Sequence, residues 1–380
     1  MSEPLVPPIV PCASFRFRDT AEVLRAMEGE DFLYSRLHNP TVLGVEQELA
    51  ALIGAERTLL FGSGMAAIST ALIALLEERP LLAIQEQVYG ATWQLTREVL
   101  PRLGVEVVTF PSQGFEEALA ALAGREVGVV YAESPTNPGL EIADLRQLSR
   151  AAHDLGALFV VDNTFASPVL QRPLELGADV ELHSATKYLG GHHDLLAGVV
   201  AGRSELLDAV FKHRTLLGGI LDPFQAFLLQ RGLKTVALRV ERQAATALVL
   251  AEWLAGRPGV AEVLYPGLAA HPGHLIAQGQ MSGYGGVLSF VHAGGEEGAR
   301  RFSEALHEVS LAASLGGTET LVTLPSTTTH YHLSLEERAA AGIAPGLVRL
   351  AIGLEDPALL QADLSQALAS SCSSSSSELS

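Results

Sequence analysis

The 380-residue sequence predicts an α/β protein: a large domain on a mainly parallel sheet sandwiched by helices, then a smaller C-terminal α+β domain. Three observations carry that expectation. Between Arg57 and Gly202, short β-branched runs alternate with helix-length segments. A long helical stretch then leads to a second region with its own strands and helix. Small and polar residues crowd just after the runs, where open α/β sheets bind ligands at the carboxyl ends of their strands.

The elements follow in order. "RTLLF" is an apolar run, "GSG" a turn and "MAAISTALIALLEE" a helix. "LLAIQE" precedes the helix-like "TWQLTREVLPRLG", and "VEVVTF" precedes "FEEALAALAG". "VGVVYAES", a helical "DLRQLSRAAHDLG", "ALFVVDN", "DVELHS" and "AGVVAG" complete the first region. The helical "KTVALRVERQAATALVLAEWLAG" leads to strands "GVLSFVHA" and "LVRLAIGLED" and the helix "EEGARRFSEALHEVS". The proline-rich opening reads as an extended arm over 1–38. The large domain follows over 39–232 and the small one over 233–370, and a serine-rich, disordered tail over 371–380 closes the chain.

The formal charge of −18 at pH 7 disfavours nucleic acid and anionic membrane as partners. Cys12 and Cys372 make no paired motif, so neither a disulfide framework nor a thiolate metal site is expected. No leader-like segment and no apolar stretch of spanning length is seen, so a cytoplasmic protein is expected.

Lysine occurs only at Lys187, Lys212 and Lys234, and Lys187 stands among small, hydroxyl-bearing and glycine residues. Gly62, Ser63 and Gly64 follow the first run, Tyr89 the second, Asn137 the fourth and Asp162 closes "LFVV". Ser184, Thr186 and Lys187 follow "VELH". A "GSGMAA" turn opening a helix presents amide N–H groups to a phosphate, or is merely a turn. Ser184 and Thr186 add hydroxyls to the same phosphate or cap the next turn. A buried carboxylate at Asp162 requires a partner. Lys187 and Asp162 either pair with each other or each serve one ligand carrying an aldehyde, a basic ring nitrogen and a phosphate. Pyridoxal phosphate is that ligand.

Rival readings are a metal hydrolase on His192, His193, Asp194, His330 and His332, a nicotinamide oxidoreductase on the "GSG" turn, and a non-catalytic scaffold. The adjacent histidines lack the helical spacing of a zinc motif. The oxidoreductase leaves Lys187 and Asp162 without roles.

"VVDNTFASP", "HSATKYLGGHHD", "YSRLHNPT", "SGMAAI", "SPTNP", "SLGGTETL" and "LVRLAIGLED" resemble, in order from Ser14 to Asp356, the Cys/Met-metabolism family of pyridoxal-phosphate enzymes. This is the transsulfuration group of cystathionine γ-lyase, cystathionine γ-synthase and methionine γ-lyase. The resemblance implies a fold-type-I architecture, with Lys187 as the Schiff-base lysine and Asp162 as the pyridinium partner. Gly64, Met65, Ser184 and Thr186 would hold the phosphate, and Asn137 would touch the ring oxygen. Tyr89 would stack on the ring and move a proton at the leaving group, while Arg349 and Ser314 would serve the substrate. Tyr34 and Arg36 would reach the phosphate of a neighbouring subunit in a homotetramer built of dimers. The implied reaction is γ-elimination on L-cystathionine or a related sulfur amino acid, giving 2-oxobutanoate, ammonia and a thiol. γ-Replacement on an activated homoserine ester and methionine γ-lyase activity are the alternatives. Three pocket positions depart from the family's hallmarks: Gln94 and Ala313 stand where members that handle cystathionine carry arginine and glutamate, and Ala91 where methionine γ-lyases carry cysteine. Arg97 or a neighbouring subunit would have to supply the missing cation.

Overall fold

The computed structural model describes residues 4–328, 331 and 342–372. The apolar runs become seven strands: β1 (Arg57–Phe61), β2 (Leu81–Gln85), β3 (Glu106–Phe110), β4 (Val129–Glu133), β5 (Leu158–Asp162), β6 (Val180–Ser184) and β7 (Gly198–Gly202). They form one sheet in the order β1-β7-β6-β5-β4-β2-β3. β7 runs antiparallel to β1 and β6, and every other pairing is parallel, so the carboxyl ends of β1 through β6 share one rim. Side chains alternate between two buried layers. Tyr131 and Val160 pack with the helix Gly64–Leu75, whereas Val130, Ala132, Phe159 and Val161 pack with the helix Leu145–Asp154. Burial on both faces is why the runs carry so few polar residues.

The second sheet holds β8 (Val260–Leu264), β9 (Val287–His292), β10 (Ser310–Leu311), β11 (Leu321–Thr323) and β12 (Leu347–Ala351), in the order β10-β11-β12-β9-β8. Only β10 and β11 pair in parallel. The helix Val236–Leu254 joins the two sheets. Val236, Val240 and Ala244 enter the core beside the first sheet, and Ala247, Leu250, Ala251 and Leu254 enter the core of the second. Its apolar face at i, i+3 and i+4 spacing thus spans both cores.

Two expectations change. "TWQLTREVLPRLG" is not one helix but an α-turn Gly90–Gln94, a π-turn Leu95–Val99 and a 3₁₀-turn Leu100–Leu103. Pro101 lacks an N–H and its ring crowds the preceding turn, so the regular ladder cannot pass through it. The serine-rich tail does not begin at residue 371, because Ser371 and Cys372 end the helix Pro357–Cys372. Leu360, Leu364, Ala367 and Leu368 carry its buried face to Ser371, whose hydroxyl bonds His292 at 2.9 Å. Residues 373–380 lie outside the described residues.

A buried ion pair pins the rim of β1. Arg214 Nη1 lies 2.6 Å from Glu46 Oε1 and donates to Leu60 O at 3.0 Å, while Glu46 Oε1 also accepts the Leu60 N–H at 2.9 Å. Truncating one partner strands the other charge in the core. Arg214→Leu is expected to destabilise the fold by about 3–5 kcal/mol. Denaturant unfolding checks it; a loss below about 1 kcal/mol would mean that Glu46 behaves as a solvated surface charge.

Candidate active site

The rim of the first sheet opens on a cavity of about 1040 Å³, closed on its far side by the second sheet. Gly64, Met65, Tyr89, Asn137, Asp162 and Ser184 line it from the first sheet. Thr186 and Lys187 follow β6, and Ser314 and Arg349 reach in from the second sheet. Tyr34 and Arg36 do not line it. They lie exposed on the arm, where Tyr34 bridges Ser14 and the Arg36 guanidinium sits 5.6 Å from the Tyr34 ring centre.

At the end of β1 the helix Gly64–Leu75 begins. Ser63 is its N-cap and accepts the Ala66 N–H at 3.0 Å, which leaves the first-turn amides of Gly64 and Met65 facing the cavity wall. A Cβ on Gly64 would stand 2.8 Å from the Ser184 Cβ, so only glycine lets the helix approach β6 this closely. Thr186 lines the cavity, and its Oγ1 accepts the Ala197 N–H at 3.0 Å while its hydroxyl makes a longer bond, 3.3 Å, to Ala197 O.

Lys187 and Asp162 are not joined by an ion pair. Lys187 Nζ instead donates to Ser314 Oγ at 3.1 Å. Burial, aided by the Arg349 charge, lowers the lysine to about 8. Ser314 has φ 146°, a backbone region that disfavours side chains, at a strain of about 1–3 kcal/mol. Its hydroxyl accepts from Lys187 and its carbonyl accepts from Arg349 Nη2 at 3.0 Å, so one strained residue fixes both cations. Arg349 is buried, which lowers it to about 10. Its Nη1 donates to Asn137 Oδ1 at 2.7 Å, and its Nε has no partner among the described residues.

Asp162 closes β5. Burial raises it, and two hydrogen bonds on Oδ1 oppose the rise, from Thr164 N at 2.9 Å and Thr164 Oγ1 at 2.5 Å. Thr164 Oγ1 also accepts the Ser184 N–H at 2.8 Å, tying the ends of β5 and β6 together. Sequence reasoning missed Thr164, although a hydroxyl two residues after a buried carboxylate is the usual Asx-turn partner. It also missed Glu133, which closes β4 as Asp162 closes β5 and lines the same cavity.

The pocket's remaining wall is largely apolar, with Leu196, Phe224, Leu228, Leu315 and Leu321. Lys187 and Arg349 are the lysine and arginine on it among the described residues. Arg97 is off the wall, stacked 5.3 Å from the Trp93 ring centre, and Gln94 is exposed. His192 is tied to Gly190 O at 2.8 Å, and His193 and Asp194 line the cavity; His330 and His332 lie outside the described residues.

The donor set suits pyridoxal phosphate: free amides at a helix N-terminus for a phosphate, a lowered amine for an aldehyde, a buried carboxylate for a ring N–H. The neutral amine is the reactive form. Aldehyde uptake by the apoprotein at Lys187, trapped by borohydride, is therefore expected to rise with pH and level above about 8. Arg349→Leu should move that rise upward. Peptide mass mapping against pH checks both; a rate still climbing at about pH 10 would mean an ordinary lysine.

Comparison with known proteins agrees with the geometry. Residues 2–369 match the family model for the Cys/Met metabolism PLP-dependent enzymes. The chain is 42% identical over 359 residues to the O-succinylhomoserine sulfhydrylase of Pseudomonas aeruginosa, covering 94% of this chain and 89% of that one. It is 42% identical over 369 residues to an L-methionine γ-lyase of Fusobacterium nucleatum, covering 96% and 93%. Among solved structures, a cystathionine γ-lyase from Micromonospora echinospora superposes with a TM-score of 0.90 at 41% identity, covering 96% and 94%. The chain thus belongs to the Cys/Met metabolism family of pyridoxal-phosphate-dependent, fold-type-I enzymes, and pyridoxal 5'-phosphate is its cofactor.

Proposed function

We propose that this enzyme is a carbon–sulfur lyase acting at Cγ of L-cystathionine or a related sulfur amino acid, releasing 2-oxobutanoate, ammonia and a thiol. The observation that carries the proposal is the lowered Lys187 amine, held by Ser314 in one cavity with Arg349 and Asp162.

Bound pyridoxal phosphate supplies the sink for the electrons left on Cα when its proton departs. The residues do the rest. Gly64, Met65, Ser184 and Thr186 hold the phosphate end, and Asn137 lies against the ring oxygen. Asp162 holds the ring N–H, its carboxylate aimed by Thr164. Arg349 receives the substrate's α-carboxylate, its fork fixed from behind by Asn137 and Ser314. The Lys187 amine, once freed, takes the proton from Cα, hands it on and, neutral again, takes one from Cβ, a base role worth roughly 10²–10⁴-fold. Tyr89 covers the ring and moves a proton at the departing sulfur. Tyr34 and Arg36 serve the phosphate of a neighbouring subunit, in a cytoplasmic homotetramer of dimers. Their exposure away from their own chain's cavity supports that reading, and no described helix is long and apolar enough to cross a membrane.

A second reading, methionine γ-lyase, is favoured by the apolar wall of Leu196, Phe224, Leu228 and Leu321, which offers a distal carboxylate no third lysine or arginine among the described residues.

The keto acid released from L-cystathionine, identified by mass, tests the proposal. 2-Oxobutanoate is expected, and pyruvate would mean β-elimination. A yellow protein silent on cystathionine but active on methionine would establish the second reading. Mixing Lys187→Ala with Arg36→Ala subunits should restore activity to roughly a quarter of wild type or less, since a mixed dimer assembles one intact site. Proven subunit exchange with no mixture above its parents would remove Arg36 from the neighbour's site.

A further inference from the structure

Glu133 is a buried carboxyl that the proposed reaction leaves unused. It stands directly opposite Asp162 in the parallel pairing of β4 and β5, and its side chain faces the cavity as Asp162 does. Its Oε1 accepts the backbone N–H of Tyr89 at 2.9 Å and the Tyr131 hydroxyl at 3.4 Å. Its own N–H is held by Gln85 Oε1 at 2.9 Å, so the backbone beneath it cannot drift. Two carboxyl groups side by side in a buried site cannot both ionise, because neither mutual repulsion nor lost hydration is repaid.

The two environments differ in which group keeps the charge. Asp162 has two hydrogen bonds from Thr164 on one oxygen. Glu133 has one backbone N–H and a long phenol contact. Burial, and then the Asp162 charge, push Glu133 far above the carboxylate range, whereas the Thr164 bonds hold Asp162 back. The other titratable groups around the pair are Tyr131 on β4, His183 beside Asp162, and Tyr89, Lys187, His193, Asp194 and Arg349 on the cavity wall.

We propose that Glu133 is a neutral positioning residue: it stays protonated beside ionised Asp162 and anchors the Tyr89 backbone, so that the site keeps a single negative charge where the ring N–H is to be held. The carbonyl oxygen of the acid still accepts the Tyr89 N–H, so anchoring needs no charge. A second carboxylate there would compete with Asp162 for the cofactor's positive ring. The inference rests on the lyase reading only for the part Tyr89 plays in turnover; the protonation state stands apart from it.

Infrared difference spectroscopy of the apoprotein, wild type against Glu133→Gln, reads the proton directly. A protonated-carboxyl C=O band near neutral pH that disappears in the variant is expected, and its absence would overturn the inference. The folded state also favours protonated Glu133 over the unfolded one. Stability from that proton is therefore present below the ordinary glutamate range and is lost as pH rises toward the raised value, so the melting temperature of Glu133→Gln should gain on wild type as pH rises. A constant difference would count against a buried proton. In turnover, Glu133→Ala should lower kcat about 10- to 100-fold by releasing Tyr89. Glu133→Gln, which keeps the acceptor oxygen, should recover most of that loss. Equal loss in both would mean that the charge, not the acceptor, is needed. If wild type itself releases no keto acid, the lyase reading fails while the infrared and melting results still decide the state of Glu133.

Discussion

The hydrogen bond from Arg349 Nη1 to Asn137 Oδ1, 2.7 Å long and buried, joins the second sheet to the rim of the first. A second buried bond, from Ser289 Oγ on β9 to Pro138 O at 2.9 Å, ties the same loop to the second sheet. Arg349 sits on β12, fixed in register against Ser289 on β9 and Thr323 on β11, so its guanidinium is placed by three strands. Asn137 follows β4 and lines the wall beside Glu133. A charge so buried is costly unless it is held by several acceptors, and here Asn137, Ser314 and Thr323 supply them.

That placement sets the chemistry around it. Arg349 contributes to the lowering of Lys187, second to burial, and Ser314 holds the lysine away from Asp162. Had the lysine and aspartate paired, each would have neutralised the other and neither would be free for a ligand. Ser314, on a strained backbone, touches one cation with its hydroxyl and the other with its carbonyl. Strain of this kind persists where surrounding contacts over-determine it, and β11, β12 and the loop after β6 do so here.

The parallel sheet was legible because its strands are buried on both faces, and the runs from "RTLLF" to "DVELHS" are apolar for that reason. The crowding of Tyr89, Asn137, Asp162 and Lys187 at one rim followed from chain direction alone. β8, β10 and β11 were not read: β10 has two residues and β11 three, and β8 is partly exposed, so none shows a clear period. The Arg349–Asn137 bond spans 212 residues, and no local pattern encodes such a partner. Glu133 was legible in principle, by the logic that found Asp162, because each is an acid that closes an apolar strand. The sites hardest to foresee are those where local rules are broken for function, as at Ser314.

The relatives show why substrate choice is the least legible property. A sulfhydrylase and a methionine γ-lyase each share 42% identity with this chain, and one Micromonospora protein is described both as a cystathionine γ-lyase and as a methionine γ-lyase. The Cα chemistry depends on groups at strand ends, which the sheet holds in fixed relation. On the proposed reading the γ-substituent meets the open side of the cavity, where Ala312, Ala313, Leu196 and Phe224 are exposed. One methylene in an apolar pocket is worth only about 1–3 kcal/mol of discrimination, whereas an unmatched distal charge leaves a carboxylate desolvated without a donor. Discrimination on the proposed reading therefore turns on whether a cation meets the end of the substrate. On the proposed reading, the rim of strand ends sets the proton transfer at Cα, and the exposed side of the cavity sets whose side chain departs.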